Sequence, residues 1–317
     1  MENRLNAYQK YKSVLNGIDA VTGLPYVVIL VKGDPKTLER LVPVVMKSFI
    51  PTYSQKELEN YKDNLKGHTQ LSASDTLLRD EYDNVFKDLK AIFDYESFIS
   101  RKPVVSYWLT EKKGANTCTY CNRQYTPTIS KFLRTGSRGK QYYEYITHPT
   151  LDHWFSHEMY PLLGLSYYNL IPSCSVCNSG AKGSKLFSLQ DYVHPHMSRN
   201  DNPDFTFRAA GGGGHWLLTI DHDKKSPVHN TLDAFKLEEI YAFHQDWEVK
   251  DIMDFSEITG GNYLKDLYDI VLSDTLGSKS SCDAYQMLFG AMSDPKDFLK
   301  RPFSKLKYDL LKQLGVI

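Results

Sequence analysis

Four of the five cysteines in this chain stand in two C-x-x-C pairs, Cys118 and Cys121 in TCTYCN and Cys174 and Cys177 in SCSVCN. Two residues between thiolates let both sulfurs of a tight turn face one ion, and two such turns complete the tetrahedral sulfur set that zinc prefers. That zinc would be structural, because a closed four-cysteine shell leaves no position for water. Two disulfides, a thioredoxin-like redox pair and an iron–sulfur cluster are the competing readings. The first is disfavoured in the cytosol and the second lacks its βαβ surroundings. Cys282 stands alone and reads as a small buried hydrophobe in a helix.

The segment TLDHWFSHEMYPLLGLSYYNLIPSCSVCNSGAKGSK carries an Asp-His pair (Asp152, His153), then Asn169, then Asn178 directly after the last cysteine. Together with CTYCNRQYT upstream, it resembles the HNH (ββα-metal) endonucleases, in the zinc-stapled form found in bacterial anti-phage defence systems such as Septu. The resemblance covers Cys118 to Lys185 and, more loosely, the helical segment after Asn230. It implies a metal-dependent endonuclease acting on DNA, the effector of a defence complex that works with a partner such as an ATPase. It also implies that the Asp152-His153 pair sits at a strand end, and that Asn169 holds the intervening loop by hydrogen bonds to backbone. The last position departs from the family name, with Asn178 where a His is implied. An amide oxygen there suits Mg²⁺ or Mn²⁺ better than zinc.

Such a set has the chemistry for phosphodiester hydrolysis. The attacking water must lose a proton, and a neutral imidazole suits that task, so His153 is the candidate base. The charge on the scissile phosphate needs a hard divalent cation with oxygen ligands, which Asp152 and Asn178 would supply. Neighbouring strand residues point to opposite faces, so using both Asp152 and His153 requires the strand to end or twist there. Lys182 and Lys185, on or just after the short helix bearing Asn178, would contact substrate phosphates. Each assignment has a plainer rival. Asn169 can be an ordinary loop cap and His157 a surface histidine, and no role falls to His148 or to His194 and His196 around Pro195. Two other classes remain open: a non-catalytic zinc-knuckle module that binds nucleic acid, and an HNH nuclease acting on RNA.

These residues need elements to hold them. Tyr26 to Val31 reads as a short buried strand, followed by a helix with Asp34 at its N-cap and Pro35 at N1, kinked or ended by Pro43. Ser74 signals a second N-cap, ahead of core positions Leu78, Tyr82, Val85, Leu89 and Ile92 at helical spacing. Phe205–Arg208 and Trp216–Ile220 read as a hairpin around Gly211–Gly214, a glycine run without the ending of a phosphate loop. Helical periodicity returns from Thr231 with Leu237, Tyr241 and Ile252, breaks at Gly260-Gly261, and ends in a basic tail helix, Lys296 to Leu314. The fold class is therefore α+β. A ββα-metal HNH module with its structural four-cysteine zinc site, residues 101–192, lies between a mixed, mostly helical region, 1–100, and a hairpin plus mainly helical region, 193–317.

Bulk composition is compatible with this reading. The chain has 317 residues, 41% hydrophobic and 24% charged, an ordinary globular make-up with length for about two domains. Its longest apolar run, Pro25 to Val31, is far shorter than the roughly 20 residues a spanning helix needs. No secretory signal opens the chain, so the expected location is cytoplasmic. Net charge is zero, but charge is unevenly spread. From Lys112 to Lys140 the sequence carries Lys112, Lys113, Arg123, Lys131, Arg134, Arg138 and Lys140 without one Asp or Glu. Tyr120, Tyr125, Tyr142 and Tyr143 interleave with or follow them, as stacking partners for single-stranded bases or as packing residues.

Overall fold

The computed structural model describes residues 2–54, 58, 73–183, 185–197, 204–259, 262–273 and 281–317. Its secondary structure is mixed α+β, with helices and three small sheets among these residues. Strand β1 (Ile129–Thr135) pairs with β2 (Gln141–Thr147), β3 (Thr150–His153) with β4 (Leu170–Ser173), and β5 (Phe205–Gly212) with β6 (His215–His222). The chain divides into two compact units built from separated segments: Met1–Ser106, Asp152–Ile171 and Ser184–Leu189 in the first; Tyr107–Leu151, Pro172–Gly183 and Gln190–Ile317 in the second.

The first unit contains α1 (Glu2–Leu15), α2 (Tyr26–Lys32), α3 (Pro35–Phe49) and α4 (Ala73–Ile92). Helix α3 starts where the sequence says it should. The Asp34 carboxylate accepts from the Lys36 and Thr37 amides, and Pro35 at N1 has no amide to leave unsatisfied. Pro43 does not end it, because the apolar face made by Leu38, Leu41, Val42, Val45 and Met46 is buried on both sides of the proline. The segment expected as a strand, Tyr26 to Val31, is helical instead. A short apolar run has no period to separate buried strand from buried helix, and here burial of Ile29 and Leu30 on one turn outweighs β-branched preference. Ser74 lies inside α4 rather than at its cap. Tyr82, Val85, Leu89 and Ile92 are buried as their spacing requires, while the side chain of Leu78 lies outside the described residues.

The second unit holds the hairpin of β5 and β6, in register from Phe205 opposite His222 to Gly212 opposite His215. The two connecting residues, Gly213 and Gly214, both have positive φ, 61° and 80°. That is the backbone of the tight turn whose twist matches paired strands. Helices α5 (Pro227–Ala234), α6 (Leu237–Ala242) and α7 (Lys250–Thr259) follow; the expected break at Gly260-Gly261 lies outside the described residues. The tail is two pieces where one helix was expected, a 3-10 segment Pro295–Lys300 and α8 (Ser304–Gln313). Pro302 removes a backbone donor at the junction and Phe303 adopts φ 57°, so the helix cannot run through. Helix α8 serves β5 with side chains: Asp309 accepts from the Phe207 amide at 2.9 Å, and Gln313 bonds both the amide and the carbonyl of Ala209. Backbone groups of a strand edge are thereby satisfied without a further strand.

Candidate functional site

The two cysteine pairs converge in the second unit. A bridge between Thr117 and Tyr125 closes the first turn, and inside it the Cys118 amide donates to the Gln124 carbonyl at 3.0 Å. Cys174 directly follows β4, and the Asn178 amide donates back to its carbonyl at 3.0 Å, starting the π-helical segment Val176–Lys182. The four sulfurs lie within 4.8 Å of one another. All four cysteines are buried and free of disulfides. Sulfurs about 2.3 Å from a tetrahedral zinc stand roughly 3.8 Å apart, so the cluster fits a structural metal such as zinc with a small inward adjustment. Hydrogen bonding with Cys118 holds the Cys121 thiol down to about 7 and pushes the Cys177 thiol up. Four crowded thiols cannot all ionise alone, and a divalent cation removes that conflict by replacing their protons.

Two residues that sequence reasoning passed over hold this centre. Asn122, directly after Cys121, has φ 47°, a left-handed conformation that Asn tolerates better than most residues. From there its amide nitrogen donates to Thr117 Oγ1 at 3.0 Å, the Phe298 carbonyl at 2.8 Å and the Arg301 carbonyl at 3.1 Å. Its own carbonyl accepts from the Phe303 amide at 2.7 Å. One side chain thus ties the first cysteine turn to the segment leading into α8. The Tyr241 hydroxyl donates to the Cys121 carbonyl at 2.5 Å, and complete burial pushes that phenol well above its ordinary value. Tyr120 stacks on Phe235 at 4.0 Å, which makes it a packing residue and not a platform for bases. An Asn right after a C-x-x-C pair, where a turn needs positive φ, was the signal for Asn122.

In the first unit, Asp152 and His153 end β3, as the resemblance implied. Across the hairpin, Asn169 precedes β4, and its carbonyl accepts from the Trp154 amide at 2.9 Å. Asn169 is fully buried. Its side chain accepts from the Phe155 amide at 2.6 Å and donates to the Phe155 and Leu163 carbonyls at 3.0 and 3.2 Å. It therefore clamps the loop from Trp154 to Tyr168 by backbone hydrogen bonds. His153 Nε2 lies 3.1 Å from the Gly164 carbonyl. A carbonyl can only accept, so Nε2 carries a proton. A Cβ at Gly164 would stand 2.5 Å from the Phe93 carbonyl, so only glycine lets the loop come close enough to anchor the imidazole. Tyr95 meets the His153 ring edge-on at 4.7 Å, and burial raises its phenol to about 12. His157 is exposed, with its ring 4.6 Å from that of His153.

The remaining candidates divide. Asn178 is half-buried in the second unit, positioned by Cys174 as described. Lys182 ends the same segment but is 3% exposed, whereas Lys185, in the first unit, is exposed. Of the two, only Lys185 is open to a bulky anion. His194 and His196 occupy a loop around Pro195, as expected. No family model, curated protein or solved structure matches this chain.

Proposed function

We propose that the chain is a metal-dependent phosphodiester endonuclease of the HNH type, acting on DNA, with a zinc staple in its second unit. The observation that carries the reading is the state of His153. It closes a strand beside Asp152 and its Nε2 proton is committed to Gly164 O, so in the neutral ring Nδ1 is the basic nitrogen. Support also comes from the chain order of β3, β4 and the segment Val176–Lys182, which repeats the strand–strand–helix order of the resemblance. In hydrolysis, Nδ1 takes a proton from water as its oxygen bonds to phosphorus, and the bond from phosphorus to the 3′ oxygen breaks, that oxygen taking a proton from solvent as it leaves. The imidazolium that forms keeps donating to Gly164 O, so its orientation does not change. Asp152 offers a carboxylate, a hard donor suited to Mg²⁺ or Mn²⁺, whose charge would offset that of the scissile phosphate. The role of Asn178 enters from sequence alone.

A second reading has one observation behind it. Asp152 and His153 are 4% and 8% exposed, which fits side chains that pack in a non-catalytic protein better than groups that meet a substrate. Purified full-length protein with Mg²⁺ or Mn²⁺ decides between them on plasmid DNA and on RNA side by side. The nuclease nicks the plasmid, and His153→Ala abolishes nicking at unchanged zinc content. Equal cutting by His153→Ala and wild type removes the active-site assignment, and preferential cutting of RNA changes the substrate. Co-purification from the native host tests for an ATPase partner of a defence complex, the part of the reading that rests on resemblance only.

A further inference from the structure

The β1–β2 ribbon stands apart from the rest of the second unit in its exposure. Every residue of β1 is exposed, and all of β2 except the half-buried Tyr145. Among the described residues neither strand joins another sheet. A two-stranded ribbon with no buried face gains little from its own folding, so its composition needs another explanation than packing. The sequence from Ile129 to Thr147 has four cationic side chains, Lys131, Arg134, Arg138 and Lys140, against the single acid Glu144. It also exposes Phe132, Tyr142 and Tyr143.

The register sorts these by face. Phe132 lies opposite Tyr143 and Ser130 opposite Tyr145, giving an aromatic face on which the Phe132 and Tyr143 rings meet edge-on at 5.8 Å. On the other face Lys131 is opposite Glu144 and Arg134 opposite Tyr142. There the Tyr142 ring is covered by the Arg134 guanidinium at 4.8 Å and the Lys140 ammonium at 5.2 Å. Cations held over a ring are oriented before any partner arrives. At the root, Tyr145 packs on Tyr107 at 4.6 Å, so the ribbon is anchored at one end.

We propose that this ribbon is a duplex-DNA-binding arm. The proposal rests on the nuclease reading for the class of partner and adds the surface that grips it. Charge favours a polyanion. Width favours the duplex, because the B-form major groove, about 12 Å across, admits a two-stranded ribbon, whereas the A-form major groove of RNA is too narrow to enter. The tip is Gly136, Ser137, Arg138 and Gly139, polar and basic, which does not fit an arm that inserts into lipid.

The test is binding of the zinc-loaded full chain, without added magnesium or manganese, to a labelled DNA duplex across a salt series. Paired substitutions on the two faces, Arg134→Ala with Lys140→Ala and Phe132→Ala with Tyr143→Ala, are compared with wild type at equal zinc content. The cationic pair is expected to weaken binding roughly tenfold and to flatten the salt dependence by about two phosphate contacts. The aromatic pair is expected to weaken binding while leaving the slope unchanged. Binding by both variants within about twofold of wild type overturns the arm, since phosphate contacts dominate such affinity. Equal or tighter binding of single-stranded DNA or duplex RNA overturns the choice of partner. Plasmid nicking by wild type against His153→Ala is scored separately, so a ribbon that binds in a protein that never cuts sinks the nuclease reading alone.

Discussion

Replacing Asn122 tests whether the cysteine turn is held by one side chain. In Asn122→Ala the Phe298 carbonyl and Thr117 hydroxyl lose the amide that reaches them at 2.8 and 3.0 Å. The site is 8% exposed, so water replaces the amide only in part. Losing a buried donor to two acceptors costs about 3 kcal/mol in all. Alanine at a φ of 47° adds about 1 kcal/mol that asparagine and glycine mostly avoid. Asn122→Gly therefore loses the bonds without the backbone strain. At roughly 2–4 °C per kcal/mol for a unit of this size, alanine lowers Tm by about 12 °C and glycine by about 9 °C. Asn122→Asp is worse than either, because an anion would face the Phe298 and Arg301 carbonyls, which have no proton to give. Thermal unfolding of the zinc-loaded protein, followed by circular dichroism, gives the ranking. The reasoning fails if alanine costs under about 3 °C, or if aspartate is tolerated as well as glycine.

Cys174→Ser is expected to lose the bound metal and Cys282→Ser to keep it, which elemental analysis of purified protein reads directly. Asp19 is buried and held well below the usual carboxylate range, first by hydrogen bonds from Arg40 at 2.8 and 2.9 Å. A lowered folded pKa gives stability that is complete above the unfolded value, about 3.9, and lost as pH falls toward the folded one. Tm should therefore drop as pH falls below about 4, and Arg40→Ala should remove part of that slope; an identical acid limb in the variant would contradict the pair's role. Gly164→Ala forces the loop away from Phe93 and moves the acceptor of His153. If His153 is the base, the variant loses turnover and shifts its pH profile, while zinc content stays at the wild-type level.

Sequence periodicity revealed the parts whose pattern is written in neighbours. Asp34 with Pro35 marked the start of α3, the tetraglycine marked the β5–β6 turn, and the cysteine spacing marked the metal centre. It failed where tertiary contacts decide. Tyr26 to Val31 has the residues of a strand and becomes a helix because Ile29 and Leu30 find a core there. The tail splits because Phe303 takes a positive φ, and its amide donates to the Asn122 carbonyl. That bond joins residues far apart in the chain, and no window of sequence contains it. The same limit hid Tyr95 as a neighbour of His153, since it lies outside the motif that drew attention to the histidine; Gly164 lies inside that motif, but nothing in the sequence pairs its carbonyl with the imidazole.

The metal centre and the hairpin therefore stand on different kinds of warrant. The four cysteines bring their own geometry, because one ion bound by all four thiolates holds the sulfurs around one point. Asp152 and His153 bring chemistry only through their supports: the Asn169 clamp, the Gly164 carbonyl and the close approach of Phe93. These supports hold the imidazole in place, and a buried ring nitrogen needs such a partner whether or not the residue is a base. Separate perturbations follow from that difference. A strong chelator should unfold the second unit and take with it whatever function the chain has. His153→Ala should leave metal and secondary structure in place, lower Tm by the few degrees that the lost bond to Gly164 O costs, and remove the cutting of nucleic acid. Loss of fold in His153→Ala would instead make the histidine a packing residue, with Gly164 O as its structural partner.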